Sequence, residues 1–430
     1  MKPATILKYA TRPDAIAVLA WQLGNYLIPL ALLPYLGRQL GVVGFGHYGT
    51  ALAIVNLCLM VTDWGFMYTA QKALIECNGD PNRENAVIWE TFTAKLLLGL
   101  LCIVFVLVGV TIADLDPTFR LPIVIGCSAV FANVLSMEWL LRARQMFWRF
   151  ALASVLGRSL SIPATLLAVH DAGDAHLAIG ALAFGQIASA IGGIFLALKS
   201  GIGKPYLPLF GALQRIRFGT PLFVPIAASN LYSVFTPPLL AALSTVTQAG
   251  IFSGPERLKG AARMMLYPIT VVAYPKINQL RHSDPDLLRQ FMPRLVLLVF
   301  FGSGLVCGAF IALAEPIVKV ALGDEYIAAV PVLRVLGASA FVASLIQLTG
   351  TNILIAFGDR RGFLLSHMFG LGLTLVGIIA FSPRFGALGA AISSLVGETF
   401  TLGIQLFFVR NLLPWLLPDL RSALKLKPDV

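Results

Sequence analysis

Apolar residues come in runs of about twenty or more, and that run length dictates the fold class. A helix rises about 1.5 Å per residue, so about 20 apolar residues cross the roughly 30 Å hydrocarbon core of a bilayer. Such runs fall at roughly 15–37, 45–69, 86–112, 120–141, 150–169, 177–198, 218–243, 250–277, 295–322, 328–357, 363–381 and 386–409. The run at 250–277 is the least regular, because it carries charges. Hydrophobic residues make up 57% of the 430 positions and charged residues only 12%, with a mean hydropathy of +0.82. Soluble proteins hold about 25% charged residues, so a soluble globular fold is excluded. The expectation is an all-α integral membrane protein of about 12 transmembrane helices.

The first run follows Lys2, Lys8 and Arg12. It exceeds a signal-peptide core in length and no small-residue cleavage site follows, so it reads as an uncleaved span. Cys58, Cys77, Cys102, Cys127 and Cys307 form no CxxC pair and read as small apolar residues.

Loop charges set the orientation. Of the 32 Lys and Arg, four fall on outer segments (Arg38, Arg120, Lys319, Arg384) and six lie inside helices. The remaining 22 lie on inner segments, which puts both termini in the cytoplasm. This surplus, part of a net charge of +11, is spread over every inner loop. Anionic membrane lipid fits that spread, and nucleic acid does not. Trp64, Trp89, Trp139, Trp148 and Trp415 fall near inner helix ends, as an interfacial aromatic belt does.

Weak self-similarity divides the chain. "GHYG" (46–49) matches "GIFS" (250–253), "FALASVLG" (150–157) matches "FLLSHMFG" (363–370), and "AIGA" (178–181) matches "ALGA" (387–390). Each pair is six helices apart, so the repeat is parallel, about an axis along the membrane normal. Two six-helix bundles follow, 1–198 and 218–409, with a cytoplasmic linker at 199–217 and a tail at 410–430.

The six basic residues inside helices are Lys95, Arg158, Arg257, Lys259, Arg263 and Arg334; the acids in or near helices are Asp63, Glu138, Glu256 and Glu398. A charge in hydrocarbon costs a few kcal/mol, about 2.5–3.5 on insertion scales. Lys95 and Arg334 lie near helix ends, where a long side chain can reach an interface. Arg158 and Arg263 lie near the midplane. Glu256, Lys259, Arg263 and Tyr267 share one helix face, and Arg257 points elsewhere. Internal pairing covers some of these charges, but the cations outnumber the acids by two, which favours an anionic ligand. Pro29 and Pro34 in helix one, Pro225, Pro237 and Pro238 in helix seven, and Pro268 and Pro275 in helix eight point to bending. No P-loop, HExxH or GxSxG occurs; "DLD" (114–116) and "DPD" (284–286) read as turns. No cofactor and no metal site is expected.

The stretch "LGVVGFGHYGTALAIVNLCLMVTDWGFMYTAQ" (40–71) resembles bacterial polysaccharide-repeat flippases, the O-antigen and exopolysaccharide exporters. So do "GIFSGPERL" (250–258), "YPKINQL" (274–280), "LGDEYIAAVPVLRVL" (322–336) and "PRFGALGAAISSLVGE" (383–398). The resemblance implies the fold of the multidrug, oligosaccharidyl-lipid and polysaccharide exporter superfamily, with two six-helix bundles around a cavity. It implies a flippase in the bacterial inner membrane rather than an enzyme. The implied cargo is an undecaprenyl-pyrophosphate-linked oligosaccharide, and the implied partners are a polysaccharide polymerase and a chain-length regulator. The lipid II flippases carry two further C-terminal helices, which find no match after residue 409. No catalytic residue is carried over, because flipping breaks no bond. The expectation is that Arg158, Lys259 and Arg263, with Arg257, Lys95 and Arg334, receive the pyrophosphate, and that Glu398, Asp63 or Glu256 couples an ion. The rivals are a multidrug exporter of the same superfamily and a membrane glycosyltransferase or polymerase. The positive helix charge argues against the first, and the short loops argue against the second.

Overall fold

A computed structural model describes residues 13–416, 418 and 419. Lys2, Lys8, Arg12, Arg421, Lys425 and Lys427, counted above for orientation, lie outside the described residues, as does the Tyr267 side chain. Every regular element among the described residues is helical. The chain divides into two compact units, Met1–Ala241 and Ala242–Val430.

The first unit runs through α1 (Pro13–Asp63), α2 (Phe66–Glu76), α3 (Pro81–Ile112), α4 (Pro117–Leu135), α5 (Glu138–Ala143), α6 (Phe147–Ser159), α7 (Ser161–Ala168), α8 (Ala175–Lys199) and α9 (Leu209–Leu243). The second holds α10 (Val246–Ser283), α11 (Pro285–Ala312), α12 (Ala314–Ala321), a 3-10 turn at Asp324–Ala329, α13 (Val330–Gln347), a π-helical stretch at Leu348–Ile355 and α14 (Arg360–Leu412). Helix starts follow local chemistry. Asp80 accepts from the Asn82 and Arg83 amides ahead of Pro81, and Asp284 accepts from the Leu287 amide ahead of Pro285. The DPD motif is therefore a helix cap.

Among the described residues, eight helical runs are long and apolar enough to cross a membrane. Helix α1, at 51 residues, would span roughly 76 Å if straight, more than twice the hydrocarbon thickness. It doubles back at Gly41, whose φ of 58° suits glycine. Trp21, near one end, and Val61 and Trp64, at the other, pack on the same buried cluster around Trp139 and Leu141. The middle lies elsewhere: Tyr35 Oη donates to the Val169 carbonyl at 2.6 Å.

Helix α14, 53 residues long, does the same at Gly386, φ 54°. Its two arms run antiparallel through small residues. A Cβ on Gly397 would lie 2.8 Å from the Gly370 carbonyl oxygen, and one on Gly377 2.8 Å from Ser393 Oγ. Close backbone approach through Gly, Ser and Thr is how helices pack where lipid supplies no hydrophobic drive. Gly397→Val should therefore push the arms apart. Overpacking costs about 1–3 kcal/mol, read as a lowered Tm in detergent. Gly372→Val, where nothing lies within 4 Å of the added Cβ, should leave Tm unchanged.

The prolines do not interrupt helix assignment: α1 continues through Pro29 and Pro34, and α9 through Pro237 and Pro238. The breaks fall elsewhere, at 64–65, 136–137 and 160. The tryptophan belt is corrected in part. Trp139 is buried in the first unit's core, and Trp64 stacks on Phe223 at 3.9 Å while donating to the Ile216 carbonyl at 3.0 Å. These rings lock α9 onto the first unit instead of facing headgroups. Glu90 adds an ion pair to Arg215 of α9 at 2.9 Å.

Candidate functional site

Three helix breaks of the first unit lie next to its charges in sequence. Asp63 ends α1 just before the break at 64–65, Glu138 opens α5 just after the break at 136–137, and Arg158 lies two residues before the break at 160. Asp63 Oδ1 accepts from Lys95 Nζ at 3.2 Å and from Asn133 Nδ2 at 3.1 Å. Lys95 is 3% exposed, so it is paired inside and does not reach for the interface. Glu138 pairs with Arg142 at 2.6 Å, and the Arg142 guanidinium lies 4.0 Å over the Trp21 ring.

Arg158 stands apart from these pairs. Glu138 and Asp63 act on it electrostatically. Its Nε is nonetheless buried without a hydrogen-bond partner, as is Arg142 Nε. The backbone beside it is fixed. A Cβ on Gly185 of α8 would lie 2.9 Å from the Arg158 carbonyl, and that carbonyl accepts from Ser161 Oγ at 2.7 Å. The glycine seam therefore brings α6 and α7 against α8 and holds the arginine at that depth. Three cations, Lys95, Arg142 and Arg158, share this region with two acids, Asp63 and Glu138. The cluster keeps one positive charge in surplus, with Asp63 exposed at its edge.

In the second unit Lys259 is the centre of a charge cluster. Lys259 Nζ donates to Glu398 Oε1 at 2.8 Å and lies 4.0 Å from Glu256 Oε2. Ser339 Oγ of α13 donates to the other oxygen of Glu398. Lys259 is 1% exposed and Glu398 4%, so this pair is enclosed by α10, α13 and α14. Arg263 is exposed and within electrostatic reach of Glu256 and His367. Arg257 lies off that face, within reach of Tyr326. Arg334 is exposed on α13, near Glu315.

The structure thus joins Lys95 to Asp63 within the first unit, and Lys259 to Glu398 and Glu256 within the second. It leaves Arg158 outside those pairs. Arg142, Asn133 and Ser339 escaped the sequence reading. Arg142 carried a signal, since it sits four residues after Glu138; Asn133 and Ser339 meet partners 70 and 59 positions away. Among the described residues no group of His, Cys, Asp and Glu could hold a metal ion, and all five cysteines are free.

The fold is that of membrane transporters. It is similar to the lipid II flippase MurJ in an inward closed conformation, with a TM-score of 0.73, 12% identity, and coverage of 92% of this chain and 87% of that one. It is also similar to an inward-facing multidrug resistance MATE family transporter of the MOP superfamily, with a TM-score of 0.67, 16% identity and coverage of 90% and 95%. In sequence, a provisionally named O-antigen transporter of Escherichia coli (strain K12) is 27% identical over 416 residues, covering 94% of this chain and 98% of that protein. Another of the same name from Shigella dysenteriae is 23% identical, covering 90% and 96%. Residues 13–281 match the family described as polysaccharide biosynthesis protein, and the chain belongs to that family.

Proposed function

We propose that this protein is a flippase, not an enzyme, that carries an undecaprenyl-pyrophosphate-linked oligosaccharide from the inner to the outer leaflet for polysaccharide synthesis. The observation that carries the reading is Arg158: a half-buried arginine with a buried, orphaned Nε in a cluster of surplus positive charge. A guanidinium binds phosphate oxygens through two parallel hydrogen bonds and stays charged when desolvated. A diphosphate crossing the midplane needs such a group; a cationic drug does not. In the second unit Arg263 plays the same part, and Lys259, held by Glu398, locks three helices together. The O-antigen transporters among the relatives and the flippase among the structural neighbours support the same class of cargo.

Twelve spans are the topology we propose. Two of the eight apolar runs each hold a glycine reversal, and α9 and α10, outside those eight, are long enough to cross. Both termini then face the cytoplasm of the inner membrane, and the two halves move by alternating access, with α9 moving with the first unit onto which it is locked. MATE chains of this fold are known in inward-facing and outward-facing forms, which fits that motion.

The test is complementation. In a bacterium whose own O-antigen flippase is deleted, this chain should restore surface polysaccharide and clear the lipid-linked repeat from the inner leaflet. Unrestored polymer, together with raised resistance to cationic drugs, would overturn the reading in favour of drug export.

A further inference from the structure

Glu138 has no part in the function proposed so far, yet it lies where the phosphate is expected. Its carboxylate contacts Arg142 at 2.6 Å and acts electrostatically on Arg158. Arg142 is clamped from the other side by Trp21, whose ring stacks at 4.0 Å, and Trp21 in turn lies 5.7 Å from the Phe150 ring on α6. One carboxylate therefore contacts one arginine, on α5, and lies within electrostatic reach of a second, on α6. Each arginine keeps a buried Nε with no hydrogen-bond partner, so the carboxylate leaves donors on both unused.

We propose that Glu138 is a built-in competitor for the substrate diphosphate, and that Arg142 and Arg158 together form its phosphate site. The inference rests on the flippase reading for the identity of the natural ligand, but its physics needs only a phosphate anion. A diphosphate offers more acceptor oxygens and more charge than one carboxylate. It satisfies the orphaned donors and turns Glu138 away from Arg142. Both arginines must stay charged and near each other without a ligand, and a tethered carboxylate achieves that in an apolar surround where like charges repel strongly. The competitor also keeps affinity moderate. A carrier that bound diphosphate without such opposition would release it slowly on the far side. Glu138 opens a six-residue helix directly after the break at 136–137, so the turn that carries it moves without bending α4.

Titration of the purified full chain in nanodiscs with inorganic pyrophosphate, at fixed salt, tests this. Close charge pairs at interfaces couple strongly enough that removing a competing carboxylate should tighten binding at least about tenfold. Glu138→Gln should show that gain, and Glu138→Asp, whose shorter carboxylate retracts from Arg142, a smaller one. Adding Arg142→Gln or Arg158→Gln to Glu138→Gln should abolish it. Unchanged or weakened pyrophosphate binding in both Glu138 variants would overturn the proposal and make Glu138 a plain structural partner of Arg142. If Glu138→Gln does not insert, the Asp variant alone decides. The outcome is separable from the flippase reading. If binding tightens while the unaltered chain fails to restore polymer, the competitor stands and the lipid-linked cargo falls.

Discussion

Glu398→Gln will sharply reduce the amount of folded protein in the membrane, and Lys259→Met added to it will bring the protein back. The Lys259–Glu398 contact of 2.8 Å lies among α10, α13 and α14 with both side chains enclosed. Removing one partner of a buried pair leaves the other charge uncompensated, at a cost of about 3–5 kcal/mol. Glu256 is 4.0 Å away and compensates only partly. Replacing both partners by neutral groups removes the desolvation cost with the attraction, and such double changes are often neutral or stabilising. Expression and monodispersity of the single and double variants check the structural half. The functional half is read in the rescued double variant. Export at the level of the unaltered protein would make the pair a fixed lock. Absent export from a well-folded double variant would make Glu398 the coupling carboxylate, with Lys259 as the cation it must release.

The sequence reading went furthest where one residue type has one physical use. Lys259 and Glu398 were legible as charges enclosed within helices, because a charge within an apolar run is costly wherever the run packs. The glycine reversals were legible only as gaps between apolar runs. That Gly41 and Gly386 take positive φ while helix flanks them closely had no separate signal. The breaks at 64–65 and 136–137 were not legible, while the one at 160 carried a signal in Pro163, three residues on. Trp-Gly and Ser-Met carry no proline, and prolines that do stand in α1 and α9 leave those helices continuous. In lipid, neighbouring helices can satisfy the freed backbone groups, so proline loses the force it has in soluble helices. The partners of the charges were hidden for another reason. Lys259 finds Glu398 at 139 positions' separation, and Trp64 finds Ile216 at 152. Local periodicity fixes which face a residue takes, but only the fold determines what that face meets.

Arg158→Ala should abolish polymer export while the protein still inserts and folds. Folding is expected to survive because the residue's structural anchor is its backbone. The Ser161 bond goes to the Arg158 carbonyl, and the close approach of Gly185 is to that same backbone. Substitution also relieves the membrane of a charge with an orphaned donor, which lowers the cost of insertion. What is lost is the group on which the diphosphate would lodge. Hydrogen bonds to charged groups contribute about 1.5–3 kcal/mol each, and a guanidinium makes two to one phosphate. The expected loss in transport rate is therefore at least about a hundredfold. Arg158→Lys should recover a fraction, since the charge remains while the planar fork does not. Arg334→Ala, an exposed cation on α13, provides the comparison: in export assays with matched membrane protein levels it should fall far less. If Arg158→Ala exports normally at equal abundance, the guanidinium is not the phosphate contact. If it exports poorly only because the protein is absent from the membrane, the residue is part of the fold. A well-inserted, inactive alanine variant with a partly active lysine variant is the pattern that a phosphate contact at Arg158 requires.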